Sequence, residues 1–196
     1  MFDRIEFQRE FFEGLNAIDE QIVERVAAER CVHCGGPLYR GDYPRKPRGG
    51  LVGADAESFD RRFSLCCGQE GCRRRATPPS VRFLGRRVYV GAVVIVASAI
   101  AVAATTARAI RAATGISART TRRWLAWWRG AFTTTSVFVE LCARLVPAVS
   151  RSALPLSVLE RMTGLPVARV RNLLAWLAPI TTASVADGSR FVRGAV

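Results

Sequence analysis

One histidine, His33, and one lysine, Lys46, occur in 196 residues, and beyond Asp60 only Glu70, Glu140, Glu160 and Asp187 are acidic. Each scarcity excludes something. A lone histidine without a catalytic serine or cysteine arrangement beside it offers no nucleophile and base for acyl transfer. Four scattered carboxylates in a largely helical pattern give no spacing for the two-metal cluster that strand-cleaving enzymes build on a sheet. No glycine-rich phosphate loop interrupts the chain. The expectation is therefore a protein that binds and does not catalyse. The N-terminal residues show no basic segment leading into an apolar one, so no secretory signal is predicted and the cytoplasm is the expected compartment. Paired cysteines there more often ligate a metal than form disulfides.

What the chain has in excess is arginine. With 29 basic against 16 acidic side chains the formal charge is +13 and the pI near 11.0, the electrostatic footprint of a polyanion binder. Residues 1–30 hold eight of the acids and four arginines, a local charge of −4 that leaves +17 for the remainder. A polyanion should thus dock after Cys31. Every basic residue except Lys46 is arginine, whose fork can grip phosphate or guanine with two hydrogen bonds.

Between Phe2 and Arg30, Ile5, Phe12, Leu15, Ile18, Ile22, Val23 and Val26 recur mostly at three- and four-residue steps among acids, which predicts an amphipathic helix. Its stripe must be covered, either by this chain's own core or by a partner, a second copy included.

Cys31-Val32-His33-Cys34-Gly35-Gly36 has the two-residue gap and trailing glycine of a metal knuckle, and its counterpart is Cys66-Cys67-Gly68-Gln69-Glu70-Gly71-Cys72. Two knuckles about thirty residues apart, with short Tyr/Phe/Leu-bearing stretches between them, describe a zinc ribbon with one tetrahedral, closed and therefore structural ion. Five cysteines compete for four places. Cys31, Cys34 and Cys72 are expected ligands, and Cys67, followed by glycine, suits a knuckle better than Cys66, which should point to the opposite strand face. His33 is expected to point outward, and Cys142 to be a small buried hydrophobe. In the loop, Arg45, Lys46 and Arg48 could lie along a phosphate backbone or simply be solvated. Arg73, Arg74, Arg75, Arg82, Arg86 and Arg87 are expected to extend the basic surface.

The uncharged run Val88 to Ala107 has the length of a membrane span, but its alanines, Gly91, Ser98, Thr105 and Thr106 weaken the drive to insert. It is read as a helix buried at the centre of a bundle, with a membrane helix as the alternative. After it comes an internal repeat. Thr114-Gly115-Ile116-Ser117 through Trp127 returns 49 residues later as Thr163-Gly164-Leu165-Pro166 through Trp176, each with the spacing of a helix-turn-helix. In the first copy Ile110, Ile116, Thr121 and Trp124 fall at inward positions and Ser117 is a natural helix cap. Ser117, Arg119, Arg122 and Arg123 remain on the outward face that would enter a major groove of double-stranded DNA. The second copy keeps only Arg169, Arg171 and Asn172 there and reads as a structural or partner-binding repeat. Residues 131–150 should form a packing helix ending near Pro147, and the tail from Ala183 should fray.

Residues 62–128, from Arg62-Phe63-Ser64-Leu65-Cys66-Cys67 through Gly71-Cys72-Arg73-Arg74 and Pro78-Pro79-Ser80-Val81-Arg82-Phe83 to Thr114-Gly115-Ile116-Ser117, resemble the N-terminal module of some bacterial insertion-sequence transposases, in which a zinc ribbon, a short linker, an apolar helix and a helix-turn-helix follow one another. The resemblance implies DNA targeting without the nuclease domain, at element ends or a regulatory site, either alone or beside a catalytic transposase, with self-association through the N-terminal helix or the second repeat as the other expected contact. The chain departs from that pattern in its longer Cys67-to-Cys72 gap and in Arg111, which stands where such motifs prefer alanine.

The sequence thus predicts a mainly α protein: an amphipathic helix in residues 1–30, a zinc ribbon with a basic loop in 31–87, an apolar helix and first helix-turn-helix in 88–130, and a helical region with the second repeat in 131–196. The expected function is sequence-specific DNA binding. The competing readings are a membrane-anchored protein with a cytosolic ribbon and an RNA-binding or protein-interaction module.

Overall fold

A computed structural model describes residues 5, 7–45, 59–84, 89–103, 106–185 and 187–192. Among them the chain is mainly α, with eight α-helices and short antiparallel strands.

Helix α1 (Arg9–Ala28) turns Phe12, Leu15, Ile18, Ile22, Val23 and Val26 inward, the stripe expected from its spacing, and buries Asp19 with them. The cysteine-bearing segments follow as a small sheet, β1 (Leu38–Arg40), β4 (Leu65–Cys67) and β5 (Arg75–Ala76), in the order β1-β4-β5. Its register sets Leu38 against Cys67 and Tyr39 against Cys66. A two-stranded ladder, β2 (Tyr43–Pro44) with β3 (Arg61–Arg62), extends this region, and β6 (Phe83–Leu84) pairs with β7 (Tyr89–Val90) on the way to the helices. The strands are too short to enclose a core of their own. Phe59 instead meets Phe12 of α1 and Phe83 of β6 edge-to-face, at 5.3 and 5.7 Å between ring centres.

The apolar run is divided. Tyr89 and Val90 are strand, α2 covers only Gly91–Val102, and a new helix, α3 (Ala107–Thr114), begins where the Thr106 hydroxyl accepts the Ala109 N–H. That cap gives the chain a second start, so the expected twenty-residue helix is twelve residues long. No described helix is long and apolar enough to cross a membrane. As expected, α2 is central: residues 91–100 are all buried, and α3, α4 (Ala118–Arg129), α6 (Leu156–Leu159) and α7 (Pro166–Leu177) pack around it. A Cβ on Gly91 would stand 2.5 Å from Leu174 Cδ2, which shows how closely α7 approaches.

Between α4 and α6, α5 (Ser136–Arg144) buries Val137, Phe138 and Leu141 and ends before Pro147. Cys142, expected to be buried, is exposed, because it follows the last inward residue of that stripe at the end of the helix. The tail does not fray over its described residues. Thr181, Thr182 and Ser184 bond the Thr77–Ser80 segment. Helix α8 (Ser189–Val192) buries Phe191 and Val192, and Arg190 pairs with Glu29, which follows α1, at 2.5 Å. The buried apolar residues of α1, the strands and the helical body form one cluster.

Candidate metal centre and basic helix face

The Sγ atoms of Cys31, Cys34, Cys67 and Cys72 all lie within 4.8 Å of one another. Cys31 and Cys72 are 3.8 Å apart and Cys34 and Cys67 3.4 Å. Four sulfurs about 2.3 Å from a tetrahedral ion would be about 3.8 Å apart, so the four cysteines can hold a metal. The backbone is folded to that end. Gly35 adopts φ +69°, its N–H donating to Cys31 O at 2.7 Å, and Cys31 N–H donates to Gly36 O at 2.9 Å. In the second knuckle Gln69 N–H donates to the Cys67 sulfur at 3.4 Å, and Gly71 takes φ +80°. Gly36 is pressed against the sulfurs themselves. A Cβ there would come within 2.8 Å of Gln69 Cβ, 3.1 Å of Cys67 Sγ and 3.3 Å of Cys34 Sγ, filling the space around the sulfurs.

The Cys31 backbone bond from His33 helps draw its thiol down to about 7, whereas burial pushes Cys67 up to about 12. Without a cation the deepest ligand would stay protonated, and a divalent metal supplies the charge that makes it a thiolate. Cys66 points away, its sulfur 3.5 Å from Arg73 O, as strand alternation requires. His33 is exposed, with Nδ1 3.3 Å from Arg74 Nη1, and stands outside the cluster.

The second assembly is α4. The Gly115 N–H closes α3 on Arg111 O with φ +68°, and the Ser117 side chain caps α4 by accepting the Thr120 N–H. Ile110, Ile116, Thr121, Trp124 and Trp128 are buried. Ser117, Arg119, Arg122 and Arg123 are exposed, and Arg119 and Arg122 have no partner among the described residues. Arg123 donates to the Tyr89 hydroxyl at 3.4 Å. Arg111 and Arg108 are exposed as well, so Arg111 does not wedge between the helices. In the repeat the first helix shrinks to the four residues of α6, and Arg169 is consumed by Gly164 O and Leu159 O. Arg171 is exposed and Asn172 half-buried.

Arginines near the cysteines are mostly occupied. Arg40 bonds Glu20 and Asp42, and Arg75 bonds Gly41 O and the Ser64 hydroxyl. Arg45 stacks on Tyr43 at 4.8 Å and its N–H donates to Asp60 O. Lys46, Arg48, Arg86 and Arg87 lie outside the described residues. Arg73, Arg74 and Arg75 are exposed, but Arg82 is not part of any basic surface: it is 1% exposed. Its Nε donates to Asp19 Oδ2 at 2.8 Å and its guanidinium lies 4.0 Å from the centre of the Phe63 ring. Asp19 also accepts from the Ser80 hydroxyl at 2.5 Å and from Val81 N–H at 2.7 Å, fastening α1 to the approach to β6. Arg62 is buried beside this group, donates to Pro78 O, and has its pKa lowered by burial. Sequence reasoning placed Arg82 on the basic surface and counted Asp19 only toward the charge of residues 1–30. The available signal was the position of Asp19, four residues from both Leu15 and Val23, within the apolar stripe.

No protein-family model, curated protein or solved structure matches this chain.

Proposed function

We propose that the chain is a non-enzymatic, sequence-specific DNA-binding protein, in which zinc on Cys31, Cys34, Cys67 and Cys72 staples a ribbon and α3 with α4 presents a helix-turn-helix to duplex DNA. The observation that carries the reading is the state of the arginines. On α4 Arg119, Arg122 and Arg123 share one exposed face, opposite Thr121, Trp124 and Trp128, which anchor the helix. Two of them have no protein partner among the described residues, whereas the ribbon's Arg40 and Arg75 are held in place. Guanidinium groups kept off protein acceptors in a +13 chain suit phosphate and guanine. The four thiolates favour zinc among divalent ions, and a closed tetrathiolate shell leaves no place for substrate. The order of parts resembles a transposase targeting module without its nuclease, with a catalytic transposase as the expected partner.

Selection of a bound site from random duplexes, followed by affinity against salt, tests this. Each phosphate contact should contribute a slope of about 0.9 in log affinity against log salt. Changing Arg119, Arg122 and Arg123 together to Ala should flatten the slope and abolish site preference. An unchanged slope and affinity in folded protein would sink the assignment of α4, and equal competition by RNA would sink the DNA assignment.

A further inference from the structure

One step around α4 from its exposed face, the helix helps wall a cavity of about 320 Å³, within the size range of small-ligand pockets. Leu84, Val94 and Ile180 give it aliphatic walls, and Trp124 and Trp127 aromatic ones. They come from β6, α2, the turn after α7, and α4. The Tyr89 ring stands edge-on to Trp124, at 5.1 Å and 81°. The polar side chains among the lining residues are Tyr89 and Arg123. Their mutual bond is long, 3.4 Å, and uses the tyrosine oxygen as acceptor, which leaves the hydroxyl proton to be donated elsewhere. Two donors thus meet at an aromatic slot with no carboxylate among its described lining residues.

We propose that this cavity binds a planar aromatic carboxylate, its ring against Trp124 and Trp127 and its carboxylate on the Arg123 guanidinium and the Tyr89 hydroxyl. A charge-assisted bond to a carboxylate is stronger than the long neutral-acceptor bond it replaces. If α4 reads DNA, which rests on the proposed function, the ligand takes an arginine from the duplex and the two compete.

Titration of the full chain with 2-naphthoate, followed by calorimetry and by the indole N–H resonances in NMR, tests the site. Saturable one-to-one binding is expected, weakened about tenfold or more by Arg123→Ala and about fivefold by Tyr89→Phe. Both changes are at the cavity rim, and circular dichroism checks their fold. No saturation, unaltered binding in both variants, or equal binding of the neutral 2-naphthamide would overturn the proposal. Equal binding of octanoate would overturn its aromatic part. Naphthoate should weaken duplex binding by the unaltered chain more than by Arg123→Ala. A chain that takes naphthoate through Arg123 but no DNA keeps the site and removes the proposed function; one that takes DNA and no naphthoate does the reverse.

Discussion

In the cysteine-bearing region the main sheet has strands of two and three residues, and its apolar side chains look outward for partners, Phe59 toward Phe12 of α1 and Phe83 of β6. In the helical body α2 alone buries ten consecutive residues and four helices pack around it. The same chain therefore solves the problem of order twice by different means. Where apolar residues recur every three or four positions, burial at about 25 cal/mol per Å² organises helices with no help from a ligand. Where strands are short and arginine-rich, the four sulfurs and the α1 face must supply what the strands lack.

Removing the proposed zinc should separate the two regions most sharply. Structural zinc contributes about 10–16 kcal/mol in small zinc-dependent folds. Chelation should therefore expose residues 31–45 and 59–76 to proteolysis and to amide exchange, while the helical circular dichroism of α2 to α7 persists. Cys67→Ser should have the same effect and Cys66→Ser should not. Because metal competes with protons for the thiolates, affinity should fall as pH falls, with Cys67, held up to about 12 without a cation, releasing its proton on binding at any neutral pH. Loss of all helical signal on chelation would show that the body depends on the cysteine-bearing region.

Asp19 fastens α1 to the segment that leads into β6, and its loss should be the next largest effect. Breaking a buried ion pair by removing one partner costs about 3–5 kcal/mol, since the other charge is left in the interior. Asp19→Ala removes the carboxylate paired with buried Arg82 and also withdraws acceptors from Ser80 and Val81. Glu20→Ala, which removes the partly exposed pair with Arg40, should cost about 1 kcal/mol or less. Denaturant midpoints compare the two directly, and equal losses would mean that the buried network does not tie α1 down.

The contrast also explains how far the sequence could be read. Apolar spacing placed α1 and the inward face of α4, and an uncharged run placed the buried centre of α2, because such surfaces must be covered; that this chain's own core covers the stripe of Phe12, Leu15, Ile18 and Ile22 was decided by the fold. Strand alternation and a following glycine picked Cys67 over Cys66. What escaped was decided by partners distant in sequence. Arg82 is buried because it pairs with Asp19 of α1, 63 residues earlier, and lies over Phe63, whereas composition alone counts it as a surface cation. The division of the apolar run turned on Thr106, whose cap is local but whose consequence, a second helix start, shows only once α3 folds back on α2. The repeat was legible as a repeat, yet its first helix shrinks from eight residues in α3 to four in α6.

That last difference sets up the smallest expected effect. The two copies begin their second helices by different devices. In α4 the Ser117 hydroxyl accepts the Thr120 N–H, whereas α7 has Leu165 at the cap, no side-chain cap bond, and Pro166 at its first turn, where the missing N–H costs nothing. Ser117→Ala should therefore lower stability by about 1 kcal/mol and fray the first turn, next to Arg119. Pro166→Ala leaves a helix start that never relied on a hydroxyl and should change stability by less. Amide exchange at Arg119 and Thr120, compared with Val167 and Ala168, measures both. If the α4 amides stay as protected in Ser117→Ala as in the unaltered chain, packing through Thr121 and Trp124 rather than the cap fixes the start of α4, and the two copies are held alike after all.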